Sequence, residues 1–139
     1  MGRAAAVTKV LLDTNILIAL ERGKLTLEAA TQPQDIDVAV SVMTLGELGY
    51  GVERADDAHR EQRRRFLMRA IETFEVVDYT IPVALVHARL AAATAARGLT
   101  RSRPDLMIAA AAVHTGRVLI TADRDFEPIA DLKLRPVLL

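Results

Sequence analysis

The stretch TKVLLDTNILIAL, residues 8–20, decides the fold. Its first five residues form a β-branched and aliphatic run that is too short for a buried helix and stops at Asp13, which predicts a buried strand over residues 8–12. Asp13 and the threonine after it can cap the segment from Asn15 to Glu21, whose apolar side chains recur at helical spacing until Gly23 ends it. The chain therefore begins with a buried strand that runs directly into a helix.

The same alternation of strand and helix continues to the C-terminus. Four further strands are predicted, at Asp37 to Val40, Val76 to Asp78, Arg117 to Thr121 and Arg135 to Leu138. Four further helices are predicted, from the cap Ser41 to Val52, from Asp57 to Phe74, from Pro82 to Arg97 and from Asp105 to Thr115. Most of the strands are continuously apolar, which favours a parallel sheet covered on both faces. The predicted class is α/β with a central, mostly parallel sheet.

Length and composition are those of one domain. The chain has 139 residues, of which 51% are hydrophobic and 26% charged, the balance of a soluble globular protein. No linker or internal repeat divides it, so we expect a single domain over residues 1–139. No apolar stretch reaches the ~18 to 20 residues that span a bilayer, and no secretory pattern precedes the first strand. We therefore expect a cytoplasmic protein without a membrane segment.

The residue types available for chemistry are restricted. The chain contains no cysteine, which excludes disulfides, thiol catalysis and cysteine zinc sites. Its three histidines, His59, His87 and His114, lack the spacing of metal ligands. Any metal ion must therefore be held by oxygen atoms.

Basic and acidic residues balance, with 18 of each, so the molecule has no overall field to attract a polyanion. Most of the bases are arginines, and they form one group between Arg54 and Arg69 and a second group of Arg97, Arg101 and Arg103. A solvated helix face and a surface loop are the simpler interpretation of the two groups. Phosphate contact through the planar guanidinium fork is the alternative, and the sequence leaves both open.

Three acidic residues stand where a parallel sheet would place a ligand, and a fourth lies in an apolar helix. Asp13 ends the first strand, and Asp123 follows the strand at 117–121. Asp105 lies in the first turn of a helix, and Glu47 interrupts the apolar helix that follows Ser41. In an open parallel sheet the ligand crevice lies beyond the carboxyl ends of the strands. Taken singly, each acid has a structural explanation as a helix cap, a first-turn residue, a turn residue or a solvated position.

Taken together, the four acids predict a cation site. Four carboxylates in one crevice would repel each other and could not all ionise at pH 7 without a compensating positive charge. Mg²⁺ or Mn²⁺ suits such a site, because these ions prefer oxygen ligands and bind beside the phosphate of a substrate. An ion of this kind activates water at neutral pH and stabilises the oxyanions of phosphodiester hydrolysis.

Four segments of the chain resemble, in order, the four sequence blocks of PIN-domain ribonucleases, and more narrowly those of the VapC toxins of bacterial toxin-antitoxin systems. The segments are LLDTNILI at 11–18, SVMTLGEL at 41–48, RPDLMIAAAA at 103–112 and LITADRDF at 119–126. Any one block is a weak signal, whereas four in order over nearly the whole chain are a strong one. The resemblance implies a PIN-like three-layer α/β/α fold.

The resemblance also implies an activity, partners and site residues. The activity is that of an Mg²⁺- or Mn²⁺-dependent endoribonuclease acting on structured RNA of the tRNA or rRNA class. The partners are a second copy of the chain, giving a homodimer, and a neutralising VapB-type antitoxin. The positions that match the family's catalytic and metal-binding acids are Asp13, Glu47, Asp105 and Asp123. Those that match supporting positions are Thr14, Asn15 and Thr121, with Asp125 as an auxiliary acid. Arg101 and Arg103 are the predicted RNA contacts, because they directly precede Asp105.

Other classes of protein fit less well. A haloacid-dehalogenase-type phosphatase needs a second aspartate where this chain has Asn15. A phosphoacceptor signalling domain needs a lysine after a late strand, and the only lysines here are Lys9, Lys24 and Lys133, so both classes are disfavoured. A non-catalytic RNA- or protein-binding module stays open, because Gly46, Gly49 and Gly51 each cost a helix roughly 1 kcal/mol against alanine and could admit a partner. Tight packing of that helix within its own domain is the favoured explanation of these glycines. A housekeeping PIN nuclease is a further alternative.

Overall fold

In the computed structural model, which describes residues 8–31 and 36–139, five strands form one parallel sheet. They are β1 (Thr8–Leu12), β2 (Ile36–Ser41), β3 (Glu75–Val77), β4 (Val118–Thr121) and β5 (Pro136–Leu138). The order across the sheet is β3-β2-β1-β4-β5, and every neighbouring pair is parallel. The predicted α/β class is confirmed, and β1, the strand predicted at 8–12, is the central strand of the sheet.

Helices connect the strands. They are α1 (Thr14–Glu21), α2 (Leu27–Thr31), α3 (Val42–Arg54), α4 (Asp57–Thr73), α5 (Ile81–Ala96), α6 (Arg103–His114) and a 3₁₀ helix (Arg124–Leu132). The sequence predicts all of them except α2 and the 3₁₀ helix. The helix α2 has only five residues, too few for a periodic pattern, and the 3₁₀ helix contains Pro128, which lacks the N–H that an α-helical turn requires.

The helices bury both faces of the sheet. Successive side chains of a strand point to opposite faces, so in β1 Leu11 joins one core while Val10 and Leu12 join the other. The first core contains buried residues of α5, α6 and the 3₁₀ helix. The second contains buried residues of α1, α2 and α3, with partly buried residues of α4 against it. The result is the expected three-layer α/β/α arrangement.

The topology brings the ends of three strands to one edge. The last residue of β1, Leu12, is in register with Val40 of β2 and Ile120 of β4. Because β2 and β4 flank β1 on opposite sides, the chain leaves the sheet in opposite directions at this point, which is where open α/β sheets form a ligand crevice. Asp13, the start of α3 and the loop after Thr121 all lie at this edge.

The opposite edge of the sheet is held by a buried arginine that the sequence did not single out. Arg117 immediately precedes β4, and its side chain is only 3% exposed. One guanidinium nitrogen donates to the carbonyl oxygens of Val10 and Asp37 at 3.1 and 2.9 Å and to the Asp37 carboxylate at 3.1 Å. The other donates to Glu75 at 2.9 Å. A single side chain therefore ties β1, β2 and β3 to the start of β4.

The helix α3 packs less tightly than its glycines suggest. Apart from the adjacent backbone of α3 itself, a methyl group added at Gly46 or Gly51 would meet no atom within 4 Å, and one added at Gly49 would only touch Leu67 at an ordinary 3.9 Å. The interpretation that these glycines allow tight packing within the domain is therefore wrong at Gly46 and Gly51, which face open space.

Among the described residues, no helix is both long enough and apolar enough to cross a membrane.

Candidate active site

Asp13 is the most enclosed acid at the carboxyl edge of the sheet. It caps α1 with Oδ1, which accepts a 2.8 Å hydrogen bond from the Thr14 amide, while Oδ2 accepts one of 2.7 Å from the Thr121 hydroxyl. The residue is 4% exposed. Burial raises the pKa of Asp13, its two hydrogen bonds act in the opposite direction, and the nearby charges of Asp105 and Glu47 raise the pKa further. The carboxylate is thus held in one orientation at a point where negative charge is in excess.

A chain of hydroxyl groups connects α1 to Glu47. The Thr14 hydroxyl donates to Oε1 of Glu47 at 2.7 Å and lies 3.0 Å from the hydroxyl of Thr44, which is fully buried. Thr44 and Glu47 lie on the same face of α3, three residues apart. The structure therefore brings the predicted acid Glu47 to the crevice, and Thr44 is a supporting residue that sequence reasoning missed.

The loop after β4 carries the predicted acid Asp123 and is held in place by hydrogen bonds. The Asn15 side chain accepts a hydrogen bond from the Ala122 amide at 3.2 Å, and the Thr121 hydroxyl accepts one from the Asp123 amide at 3.0 Å. Asp123 in turn caps the 3₁₀ helix, because its Oδ1 accepts from the Asp125 amide at 2.8 Å. Asn15 and Thr121, both predicted as supporting residues, thus hold the loop that carries Asp123 against the end of β1.

Asp105 approaches the same edge from the start of α6. Ser102 caps this helix by accepting a hydrogen bond from the Asp105 amide, and Pro104 occupies its first turn, where a missing N–H costs nothing. The Asp105 carboxylate accepts a 2.8 Å ion-paired hydrogen bond from Arg101, which also reaches Asp123 at 3.3 Å. Asp105 and Asp123, eighteen residues apart, are therefore joined through one guanidinium group.

The two predicted RNA contacts lie in different surroundings. Arg103 is exposed at the first position of α6. Burial lowers the pKa of the His87 imidazole, and the positive charge of Arg103 lowers it further. The side chain of Arg101 is 9% exposed and is enclosed by the acids. Sequence reasoning missed the contact of Arg101 with Asp105, although a spacing of four residues is typical of ion pairs along a helix. Phosphate binding by either arginine stays a prediction.

The arginines between Arg54 and Arg69 mostly contact residues of α3 and α4. The Arg60 side chain donates to the carbonyl oxygens of Val52 and Ala55, and Arg63 donates to that of Gly51, so both neutralise the carboxyl end of α3. Arg64 and Arg65 pair with Glu61 on the exposed face of α4. The simpler interpretation, a solvated helix face, therefore holds for Arg64 and Arg65, whereas Arg60 and Arg63 are partly buried against the end of α3.

The acids fit a divalent cation in chemistry, whereas their present spacing suits a guanidinium group. All the donor atoms at the crevice are oxygens, the ligand type of Mg²⁺ and Mn²⁺. The effect of Asp105 and Glu47 on the pKa of Asp13 shows that their negative charges are close enough to interact. Within residues 8–31 and 36–139, however, no three acidic or histidine side chains converge closely enough to hold one ion. Arg101 lies between three of the acids instead.

Comparison with known proteins identifies the family. The sequence model of the PIN-domain family matches residues 10–132 of this chain. The chain belongs to the PIN-domain family. Two relatives of this PIN domain are Ribonuclease VapC of Rickettsia bellii strain RML369-C, 30% identical over 130 residues, and Ribonuclease VapC51 of Mycobacterium tuberculosis strain H37Rv, 34% identical over 131 residues. Each alignment covers 92% of this chain, with 96% of the first relative and 90% of the second.

Solved structures agree with this assignment. The PIN domain is similar to VapBC-5 from Mycobacterium tuberculosis, a member of the VapBC family of toxin-antitoxin systems, with a TM-score of 0.79 and 27% identity over 95% of this chain and 99% of that one. It is also similar to DNA-bound VapBC from Salmonella typhimurium, with a TM-score of 0.78 and 28% identity over 95% of this chain and 98% of that one. The resemblance to VapC ribonucleases noted in the four sequence blocks is confirmed.

Proposed function

We propose that this PIN domain is a divalent-metal-dependent endoribonuclease, the toxin of a VapBC-type pair, that cuts structured RNA of the tRNA or rRNA class in the cytoplasm. The observation that carries the proposal is that acids from four separate segments lie at one edge of the sheet, where Asp105 and Glu47 act on the buried carboxylate of Asp13 and Arg101 joins Asp105 to Asp123. The names of the relatives, which are ribonucleases, support the activity.

In this proposal each residue has a defined task. Asp13, Glu47, Asp105 and Asp123 would hold Mg²⁺ or Mn²⁺, which would supply activation of water and stabilisation of charge on the phosphate. Thr14 and Thr121 orient the carboxylates of Glu47 and Asp13 by hydrogen bonds, and Asn15 fixes the loop that carries Asp123. The exposed Asp125 is an auxiliary acid, and the exposed Arg103 would contact an RNA phosphate beside the crevice.

The product ends test the hydrolytic mechanism. Because water rather than the ribose 2′-hydroxyl is the nucleophile, the products should carry 5′-phosphate and 3′-hydroxyl ends, and a 2′-deoxy substitution at the cleaved position should not prevent cleavage. Sequencing and phosphatase sensitivity of the RNA ends measure this. A 2′,3′-cyclic phosphate product would contradict the proposal.

Histidine variants supply the control for that experiment. His59 pairs with Asp56, His87 lies 2.8 Å from the Tyr79 hydroxyl, and His114 is exposed near the end of α6. None of the three has a described contact with the four acids. Replacing each with alanine should therefore leave the cleavage rate within about twofold of wild type, whereas a ribonuclease that uses histidine as general acid and base typically loses about 100-fold or more.

The groove beside Glu47 suits an antitoxin. It is lined by residues of α1, α3 and α4, including Arg22, Glu47, Gly51 and Arg63. The open space at Gly51 lets a partner backbone approach α3 closely, and the lining offers a partner segment charges of both signs, since Glu21 and Glu47 lie beside the two arginines. A segment bound along this groove would reach the crevice at Glu47 and exclude RNA from it.

A second copy of the chain is the other proposed partner. Three large side chains near the start of α5, Tyr79, Ile81 and Leu85, are exposed, and Ile81 is 79% exposed. Exposed apolar groups in one region typically mark a protein interface. We therefore assign the homodimer contact to this face.

Co-expression with the product of the neighbouring gene tests both partners. Native mass measurement should give a complex that contains two copies of this 15.2 kDa chain together with the antitoxin. The purified complex should cleave RNA at a small fraction of the rate of the free chain. If it cleaves as fast as the free chain does, the toxin assignment fails and a housekeeping nuclease of the same fold is the better description.

A further inference from the structure

Arg101 is a buried cation among three carboxylates. Its Nη2 atom lies 2.8 Å from Asp105 Oδ2 and 3.3 Å from Asp123 Oδ2, and its Nη1 atom lies 3.1 Å from Asp125 Oδ2. The side chain of Arg101 is 9% exposed, whereas those of its three partners are more accessible. The guanidinium group therefore supplies positive charge to the acids that the proposed function assigns to a metal ion or to its surroundings.

The position of Arg101 is secured by charge and stacking rather than by complete hydrogen bonding. Its guanidinium carbon lies 5.2 Å from the centre of the Phe126 ring, which is fully buried. Its Nε atom is buried and has no hydrogen-bond partner among the described residues. A buried donor without a partner is unfavourable, so the position of Arg101 depends on the ion pairs between its Nη atoms and the surrounding acids.

The side chain has room to leave. Arg101 lies in the loop between α5 and α6, which begins at Gly98 in the left-handed region with φ of +71°. A shallow depression beside the guanidinium group is lined by Leu99, Thr100, Asp125 and Pro128. The lining of this depression includes Asp125 but not Asp105 or Asp123, so the guanidinium group has space on the side away from those two acids.

We propose that Arg101 is an internal counter-ion that holds the acids in the metal-free protein and competes with the divalent ion for Asp105 and Asp123. Two cations cannot share the same carboxylate oxygens at these distances without strong mutual repulsion. Metal binding therefore requires Arg101 to withdraw from the acids. This inference rests on the proposed metal dependence. It implies that one of the chain's own arginines sets the affinity of the acids for the divalent ion.

Mn²⁺ binding to variants of the free chain tests the competition. Arg101→Gln should bind Mn²⁺ at least about tenfold more tightly than wild type, because one positive charge is removed from within a few ångström of the ion. Arg124→Gln is the matched control, since Arg124 is exposed next to Asp123 at the start of the 3₁₀ helix and its loss changes the net charge equally. Isothermal titration calorimetry gives the Kd, and the rise in Tm on adding Mn²⁺ should be larger for Arg101→Gln than for the control.

Two further substitutions separate charge from structure. Arg101→Met keeps the apolar stem over Phe126 and should bind Mn²⁺ as tightly as Arg101→Gln does. Arg101→Lys keeps the charge and should bind Mn²⁺ more weakly than both. If lysine gives the same affinity as methionine, or if all Arg101 variants match wild type, Arg101 is not a competing cation and the inference is overturned. If wild type and every variant fail to bind Mn²⁺, the metal dependence itself fails and the inference with it.

The wild-type chain supplies a test that needs no variant. The Nε–H resonance of Arg101 should shift on titration with Mg²⁺, because the guanidinium group leaves the acids. Arg117 is the internal control, since its Nε atom is also buried without a described partner but lies at the opposite edge of the sheet. A titration that leaves the Arg101 resonance unchanged while Mg²⁺ binds would overturn the inference.

Discussion

Asp13→Asn should lower the rate of RNA cleavage by at least about 100-fold, the loss typical when a preorganised electrostatic group is removed from an active site. Asparagine still caps a helix well and still accepts the hydrogen bond from the Thr14 amide, so α1 should remain intact. Asp105→Asn should lose cleavage to a similar extent. Single-turnover cleavage of a defined RNA substrate in Mn²⁺ measures both variants.

The same Asp13→Asn substitution should raise Tm at neutral pH. Burial raises the pKa of Asp13 above its unfolded value, so the ionised carboxylate costs stability in the folded state. This cost is present in full above the folded pKa and disappears as the pH falls toward the unfolded value of about 3.9. The gain in Tm should therefore shrink between neutral and acid pH.

Asp78→Asn is the matched control for both measurements. Asp78 is an exposed acid that follows β3 at the same edge of the sheet, and it makes none of the described contacts of the crevice. It should retain wild-type cleavage and an unchanged Tm. Wild-type cleavage by Asp13→Asn would remove Asp13 from the site, and a lower Tm at neutral pH would contradict the pKa argument.

Arg117→Met should lower the free energy of unfolding by about 2–3 kcal/mol, somewhat less than for a fully buried ion pair, because Glu75 and Asp37 can be rehydrated when their partner is lost. The carbonyl oxygens of Val10 and Asp37 also lose a donor. Methionine keeps most of the apolar volume, so the effect reports the lost polar contacts rather than a cavity. Urea unfolding followed by circular dichroism measures the change.

Arg135→Met tests whether the effect is specific to the buried arginine. The exposed side chain of Arg135 donates to one carbonyl oxygen, that of Gly116, near the same edge of the sheet. Its loss should change the free energy of unfolding by no more than about 0.5 kcal/mol. Because Arg117 is remote from the acids, the folded fraction of Arg117→Met should also cleave RNA at the wild-type rate. Equal destabilisation by the two variants would show that Arg117 is not a specific tie between the strands.

Much of the fold follows from local sequence patterns. Short aliphatic runs predict all five strands, and the residues Asp13, Ser41 and Pro104 predict where three helices begin. Local patterns suffice here because strand and helix propensity, capping and periodicity depend on neighbours within about two helical turns. The short helix α2 and the 3₁₀ helix escape this logic, since neither is long enough or regular enough to show a period.

The candidate acids could be predicted for the same reason. Each of Asp13 and Asp123 follows an apolar run, and the carboxyl ends of parallel strands share one edge whatever their order. The sequence alone therefore determined the α/β class and which acids stand at the crevice edge.

Only the tertiary structure decided which side chains meet. Thr14 contacts Glu47 because α1 packs beside α3, and Arg117 reaches Glu75 because β3 lies beyond β2 in the sheet. Arg101 joins Asp105 to Asp123 because the loop before α6 meets the loop after β4. The residues in these contacts lie from four to more than forty positions apart along the chain. The contacts between distant residues depend on the order of the strands, and that order is selected because both faces of the sheet must be buried at once. No local pattern carries the order of the strands, so the contact of Arg101 with Asp123 and the tie that Arg117 makes between the strands appear only in the folded chain.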